Sequence, residues 1–119
     1  MPTPEQILTQ LYADFNARNT AAVLAHMAPD VEWPASTEGH GYITGPEAIG
    51  AYWTRQWTTL DPKVHPQSFE QDASGRTVVT VHQIVHDRQG NLLADQVLRH
   101  IYTFNNQGLV RRMDIEPAP

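Results

Sequence analysis

Behind Thr3, Pro4 and Glu5, the residues Ile7, Leu8, Leu11, Tyr12 and Phe15 recur at three- and four-residue intervals, which draws one apolar stripe along a helix. Thr3 suits the cap and Pro4 the first helical position, so the spacing predicts a helix over residues 4–17. Asn19 and Thr20 interrupt it. Val23, Leu24 and Met27 then mark a short second helix over 21–27, stopped by Pro29. Residues 31–33 (VEW) read as a brief strand, and in the loop-rich string PASTEGHGYITG only Tyr42 and Ile43 suit extended backbone. Gly45 and Pro46 open a third helix over 46–59, with Ile49, Tyr52, Trp53, Gln56 and Trp57 on neighbouring positions of one side.

From residue 63 onward the pattern becomes extended. Strands are predicted at 64–71, 76–86, 93–104 and 109–116, and the strings between them, DASG, DRQGN and NNQG, carry the Gly, Asp and Asn that hairpin turns need. Helices first and an antiparallel meander afterwards imply an α+β fold, with the N-terminal helices packed on one face of a curved, mostly antiparallel sheet.

A chain of 119 residues buries roughly two thirds of its unfolded surface, so residues 1–119 are expected to form a single domain around one core. Hydrophobic residues at 40% and a net charge of −5 exclude a disordered chain. Eight Lys+Arg against thirteen Asp+Glu leave no basic stripe, so no nucleic-acid partner is expected. The lack of Cys removes disulfides, thiolate metal sites and cysteine nucleophiles together. No apolar run has the length of a membrane span, and MPTPEQILTQ lacks the basic-then-apolar order of a signal peptide, so the expectation is a cytoplasmic protein without a membrane partner. Without a glycine-rich phosphate loop, no cofactor is expected.

The six histidines raise the question of a metal. His82 and His86 have the spacing that binds zinc on a helix, but VVTVHQIVH is β-branched and extended, which separates them by roughly 13 Å. No metal site is therefore expected. His40, in TEGHGY, is a candidate lid residue, while His26 and His65 fall near element ends.

Three strings in this order, FNARNTAAVLAHMAPDVEW, GPEAIGAYW and HIYTFNNQGLVRRMDI, resemble the nuclear transport factor 2-like superfamily, which includes ketosteroid isomerase, the SnoaL-like polyketide cyclases and limonene-epoxide hydrolase. The resemblance implies a cone-shaped α+β fold with an interior pocket, and association of two chains through the sheet. It also implies that Tyr12 takes the place of a first-helix tyrosine, His100 that of a protonated acid on the penultimate strand, and Asp114 that of a last-strand aspartate. The isomerase's aspartate base has no counterpart, since Trp33, Pro34, Ala35 and Ser36 occupy that stretch, and the Arg-x-Asp pair of the epoxide hydrolase is not matched in VTVHQIV.

Strand alternation adds a geometric expectation. Leu98, His100, Tyr102 and Phe104 share one face, as do Val110, Arg112 and Asp114, and a five-residue loop over 105–109 sets His100 opposite Asp114. Such a pair holds one imidazole tautomer and raises its pKa, as a general acid or base requires. A one-residue slip would instead send Asp114 to the other face.

The candidate catalytic residues are therefore His100, Asp114 and Tyr12, the last as a phenol donor to a substrate carbonyl or oxyanion. Trp33, Trp53, Trp57, Phe15, Tyr102, Arg112 and His82 are the candidate substrate contacts. They suit a small, hydrophobic, polyketide- or steroid-like carbonyl compound, with isomerase, cyclase or dehydratase chemistry as the implied activity. The alternatives are a non-catalytic ligand-binding or dimerisation domain and an epoxide-hydrolase-like activation of water. Alternation also predicts that Val97, Arg99, Ile101, Thr103, Arg111, Met113 and Ile115 form an outer sheet face through which the chain makes a homodimer.

Overall fold

The computed structural model describes residues 2–35 and 41–118. Helix α1 (Pro4–Asn16) begins with a capping box, in which the Gln6 amide donates to the Thr3 hydroxyl at 3.2 Å and the Thr3 amide donates back to the Gln6 side chain at 2.9 Å. Its apolar stripe buries Leu8, Leu11 and Tyr12. Past its end, Arg18 turns into the left-handed region (φ 63°) and donates to Asp61 at 2.5 Å and to the Pro62 carbonyl at 2.8 Å. Asn16 bonds both backbone groups of Val64, so the end of α1 is tied to the following sheet at two points.

Helix α2 (Thr20–Leu24) is shorter than the sequence pattern predicts, because Met27 already belongs to strand β1 (Met27–Pro34), where it pairs in parallel with Val110. Strand β2 (Tyr42–Thr44) folds back antiparallel on β1. Helix α3 (Pro46–Gln56) ends three residues before the predicted point, and its inward side buries Ile49, Tyr52 and Trp53. Strands β3 (Leu60–Gln71), β4 (Thr77–Asp87), β5 (Leu92–Phe104) and β6 (Val110–Pro117) form the antiparallel meander. β3 starts earlier than predicted and accommodates Pro62 and Pro66 because it is an edge strand.

The sheet order is β2-β1-β6-β5-β4-β3, with the single parallel pairing between β1 and β6. This is the expected α+β arrangement of N-terminal helices on a curved, mostly antiparallel sheet. The three hairpin turns share one construction. Asp72, Asp87 and Asn105 each accept backbone N–H bonds on the side-chain oxygen, and Gly75, Gly90 and Gly108 follow three residues later at φ 86°, 90° and 78°. A Cβ is strained at that backbone conformation, which explains the glycine in each string.

The inner face of the sheet carries Val79, Val81, His100, Tyr102 and Met113, all packed against the helices or buried beneath them. The outer face carries Val78, Thr80, His82, Arg99, Ile101 and Asp114. None of the described helices is long and apolar enough to cross a membrane.

Candidate functional site

At the closed end of the inner face, helix α1 and strand β5 bring three polar side chains together inside the core. The Tyr102 hydroxyl donates to the Tyr12 hydroxyl at 2.8 Å, and the Tyr12 oxygen lies 2.8 Å from Nδ1 of His100. All three residues are buried. With Tyr12 accepting from Tyr102, the one acceptor left for its own proton in this triad is Nδ1, an arrangement that places the proton of the neutral ring on Nε2. Burial pushes the His100 pKa down to about 4, and burial raises both phenols above their ordinary range. The relay is uncharged near neutral pH.

The hydrogen bond of His100 falls on Nδ1, and the ring borders the cavity. A pocket of about 40 Å³ lies directly over Tyr12, His100 and Tyr102, walled by Leu11, Phe15, Trp33 and Val64. It leads to a second space of about 60 Å³ beside Trp53, Tyr52 and Met113. That space meets an open hollow of about 470 Å³ between Leu60, Val85, Leu93, Leu98 and Ile115. Gln56, Gln83, Pro62 and Ile115 border both of these spaces. Among the described residues lining the two inner spaces there is no Asp, Glu, Lys or Arg.

Of the sequence-predicted residues, Tyr12, His100, Tyr102, Phe15, Trp33 and Trp53 come together here. Four others do not. Asp114 stands opposite Ile101, not His100, because β6 carries one extra residue, Arg111, between the pairs Phe104–Val110 and Thr103–Arg112. The bulge reverses the facing of everything beyond it, so Ile115 takes the place opposite His100 and the expected His–Asp pair is absent. Asp114 and Arg112 lie on the outer face, where Tyr42 donates to Asp114 and the Arg112 guanidinium sits 4.2 Å from the Tyr42 ring centroid. Arg112 also reaches Glu32 at 3.5 Å and Asp114 at 3.1 Å. Desolvation opposes ionisation of Asp114, but hydrogen bonds from Arg112 and Tyr42 outweigh it and hold the carboxyl below its usual range.

His82 is likewise on the outer face, paired across strands with Val97 and 2.5 Å from Asp95, because it shares the parity of Val78 and Thr80. Gln83 faces the cavity in its place. Trp57 stacks on Trp53 with Arg18 4.7 Å from its ring, and it lies outside the cavity lining. Its indole N–H is buried without a partner among the described residues. The predicted lid residue His40 falls outside the described residues. No group of three His, Asp or Glu side chains among the described residues is placed to hold a metal ion.

Gln56 and Gln83 are polar lining residues outside the candidate set, and Met113 and Ile115, expected on the outer face, line the inner space as well. The signal for Gln83 was present, since Val79, Val81, Gln83 and Val85 alternate on one side of an extended run.

Helices packed on one face of a curved, mostly antiparallel sheet are the fold of the nuclear transport factor 2-like superfamily. The SnoaL-like domain family matches residues 8–113, and the chain belongs to it. No curated protein matches the chain in sequence. Among solved structures, a nuclear transport factor 2-like protein of unknown function from Burkholderia pseudomallei superimposes with a TM-score of 0.83 at 23% identity, covering 99% of this chain and 92% of that one. TerC, co-crystallised with polyporic acid, gives 0.79 at 24% identity over 94% and 88% of the two chains. A Mycobacterium tuberculosis protein in complex with estradiol-17β-hemisuccinate gives 0.76 at 19% identity over 90% and 87%.

Proposed function

We propose that this SnoaL-like chain binds a small, largely apolar carbonyl compound and holds its carbonyl oxygen on the Nε2–H of His100. One observation carries the reading. Tyr102 and Tyr12 form a buried hydrogen-bonded chain to Nδ1 of His100, which supports a neutral imidazole that presents Nε2–H to an aromatic cavity. Flat rings fit walls made of Phe15, Trp33 and Trp53, and a neutral donor in a dry site polarises a carbonyl without the cost of burying a charge. The complexes with polyporic acid and an estradiol ester seen for structures of this fold support ligands of this class.

The same donor would stabilise an enolate. Isomerase- or cyclase-type proton transfer is the second reading, favoured by the aim of Nε2 and dependent on a base that the described lining does not provide. In either reading the chain acts as one domain and pairs with a second copy through the outer sheet face.

The test is a thermal-stability screen against steroids, polyketides and terpenoids, in which a ligand at a hundred times its dissociation constant adds about 2.7 kcal/mol. His100→Asn, whose shorter amide keeps an acceptor for Tyr12 but places no donor at the Nε2 position, should weaken a ketone about tenfold and leave its deoxo analogue unaffected. Binding of the ketone unchanged in that variant would overturn the reading.

A further inference from the structure

Among the described residues Arg18 is the one outside glycine that takes a positive φ, 63°, and a side chain at that backbone conformation is strained. The turn aims its guanidinium back across three elements. It donates to the Phe15 carbonyl of α1 at 3.3 Å, and to Asp61 at 2.5 Å and the Pro62 carbonyl at 2.8 Å at the start of β3. It also lies 4.7 Å from the ring of Trp57, the first residue past α3. One side chain thus fastens the connection over 57–59 to α1 and β3.

The same elements form the neck of the cavity. Gln56, beside Trp57, and Pro62, beside Asp61, border both the inner space that holds His100 and the open hollow. Trp57 packs on Phe15 and Trp53, which line the inner space. The two inner spaces measure about 60 and 40 Å³, whereas an engineered apolar cavity that holds benzene measures roughly 150 Å³. A ring compound therefore reaches His100 only when the neck widens.

The connection is built to move with the end of α3. Thr58 Oγ1 donates to the Arg55 carbonyl at 2.7 Å and Thr59 Oγ1 to the Gln56 carbonyl at 3.4 Å, so these bonds run back into the helix. The buried indole N–H of Trp57 lacks a partner among the described residues, a bond that water would supply outside. This orphan donor and the strained Arg18 both raise the energy of the closed form, and the Arg18 bonds oppose them. Asp61 keeps a second cation in reach, Lys63 at 4.0 Å, when Arg18 lets go.

We propose that Arg18 is the clasp of the cavity. With its bonds to Asp61 and Pro62 made, the connection is held down and the neck is shut; when they break, Trp57 swings toward solvent and the inner space opens into the hollow. This goes beyond the carbonyl-binding reading and does not depend on it, since opening is read without a ligand.

Native-state hydrogen exchange of the full chain, followed by NMR at the Trp57 indole, tests the motion. In the wild type this N–H should be less protected than the amides of Val79 and Tyr102 in the central strands, and its rate should not respond to low urea, because a local opening exposes little surface. Arg18→Leu keeps a side chain on the same backbone and removes the bonds, so it should speed indole exchange about tenfold without making it urea-dependent. Access is read with diethyl pyrocarbonate, which should modify buried His100 about tenfold faster in Arg18→Leu and exposed His65 at the parent's rate. Should Arg18→Leu not fold, Asp61→Asn decides by the same readouts, with about threefold in place of tenfold. An indole whose exchange follows urea as the core amides do, or an unchanged rate in the variant, overturns the clasp. Faster indole exchange with His100 modified no faster overturns its control of the cavity.

Discussion

The Tyr12 hydroxyl lies 2.8 Å from Nδ1 of His100, joining helix α1 to strand β5 at the closed end of the cavity. Tyr102 donates to the same hydroxyl from two residues further along β5, so a single oxygen organises both partners. This arrangement places the proton of the neutral ring on the edge toward the cavity. The aromatic rings around it shut out water, which makes each of these bonds costly to lose.

Tyr12→Phe removes the shared oxygen and leaves the Tyr102 hydroxyl and His100 Nδ1 buried without partners. An unsatisfied buried group costs about 1–3 kcal/mol, so urea unfolding should show a loss of about 2 kcal/mol or more. A loss below about 0.5 kcal/mol would mean that the relay does not hold these side chains.

Burial sets the sign of the acid response. With the His100 pKa lowered from 6.5 to about 4, folded and unfolded chains are both neutral at this ring above pH 6.5, and it contributes nothing to the pH dependence there. Between pH 6.5 and 4 the unfolded chain takes up a proton that the folded chain refuses, so stability falls as the pH falls. The full displacement is worth roughly 3 kcal/mol by pH 4. Wild type minus His100→Asn, measured by denaturant unfolding across that range, isolates this ring from the carboxylates. A flat difference curve would refute the assignment.

The elements that repeat were legible in the sequence. Periodicity gave α1, α3 and the four meander strands, and the Asp/Asn-to-Gly spacing placed all three hairpin turns. Tyr12 and His100 entered the candidate set through the family resemblance, and strand alternation added that His100 and Tyr102 share a face. Asp114 was misplaced by one residue because nothing in LVRRMDI distinguishes a regular ladder from one in which Arg111 is the extra residue of a bulge. Met113, expected outside, is buried in the core for the same reason. His82 was named as a contact although Val79, Val81 and Val85 compete for the buried face, and the pairing of Val81 with Leu98 gives that face to the valines.

Asp114→Asn tests the corrected position. On the outer face Asp114 joins Tyr42 of the short edge strand to Arg112 of β6, and its lowered pKa means that it stabilises the fold above the ordinary carboxylate range and loses that contribution on acidification through it. The variant should lose about 1 kcal/mol at neutral pH in denaturant unfolding. Its affinity for a carbonyl ligand should stay within about twofold of the parent, since the sheet separates it from the cavity. A tenfold weaker ligand with unchanged stability would return Asp114 to the binding site.

The register also changes how the outer face can meet a second copy. With Met113 and Ile115 turned inward, β6 presents Arg112 and Asp114, and Ile101 is only 3% exposed within one chain. Arg99 and Arg111 already have acidic neighbours in Glu116 at 3.9 Å and Asp30 at 3.5 Å. The exposed apolar side chains on this face are Val97, 42% exposed with the His82–Asp95 pair beside it, and Leu92, 58% exposed opposite His86 at the end of the strand. A homodimer through the sheet should therefore centre on Val97 and bury at least about 1,000 Å², with a polar rim. Ile101→Glu is a poor probe, because it places a charge in a site already buried in the monomer. Val97→Asp leaves the core untouched, so it should convert the dimer to a 13.4 kDa species in light scattering at micromolar concentration without lowering the unfolding midpoint of the isolated chain. A wild type that already scatters as 13.4 kDa under those conditions would remove the dimer altogether.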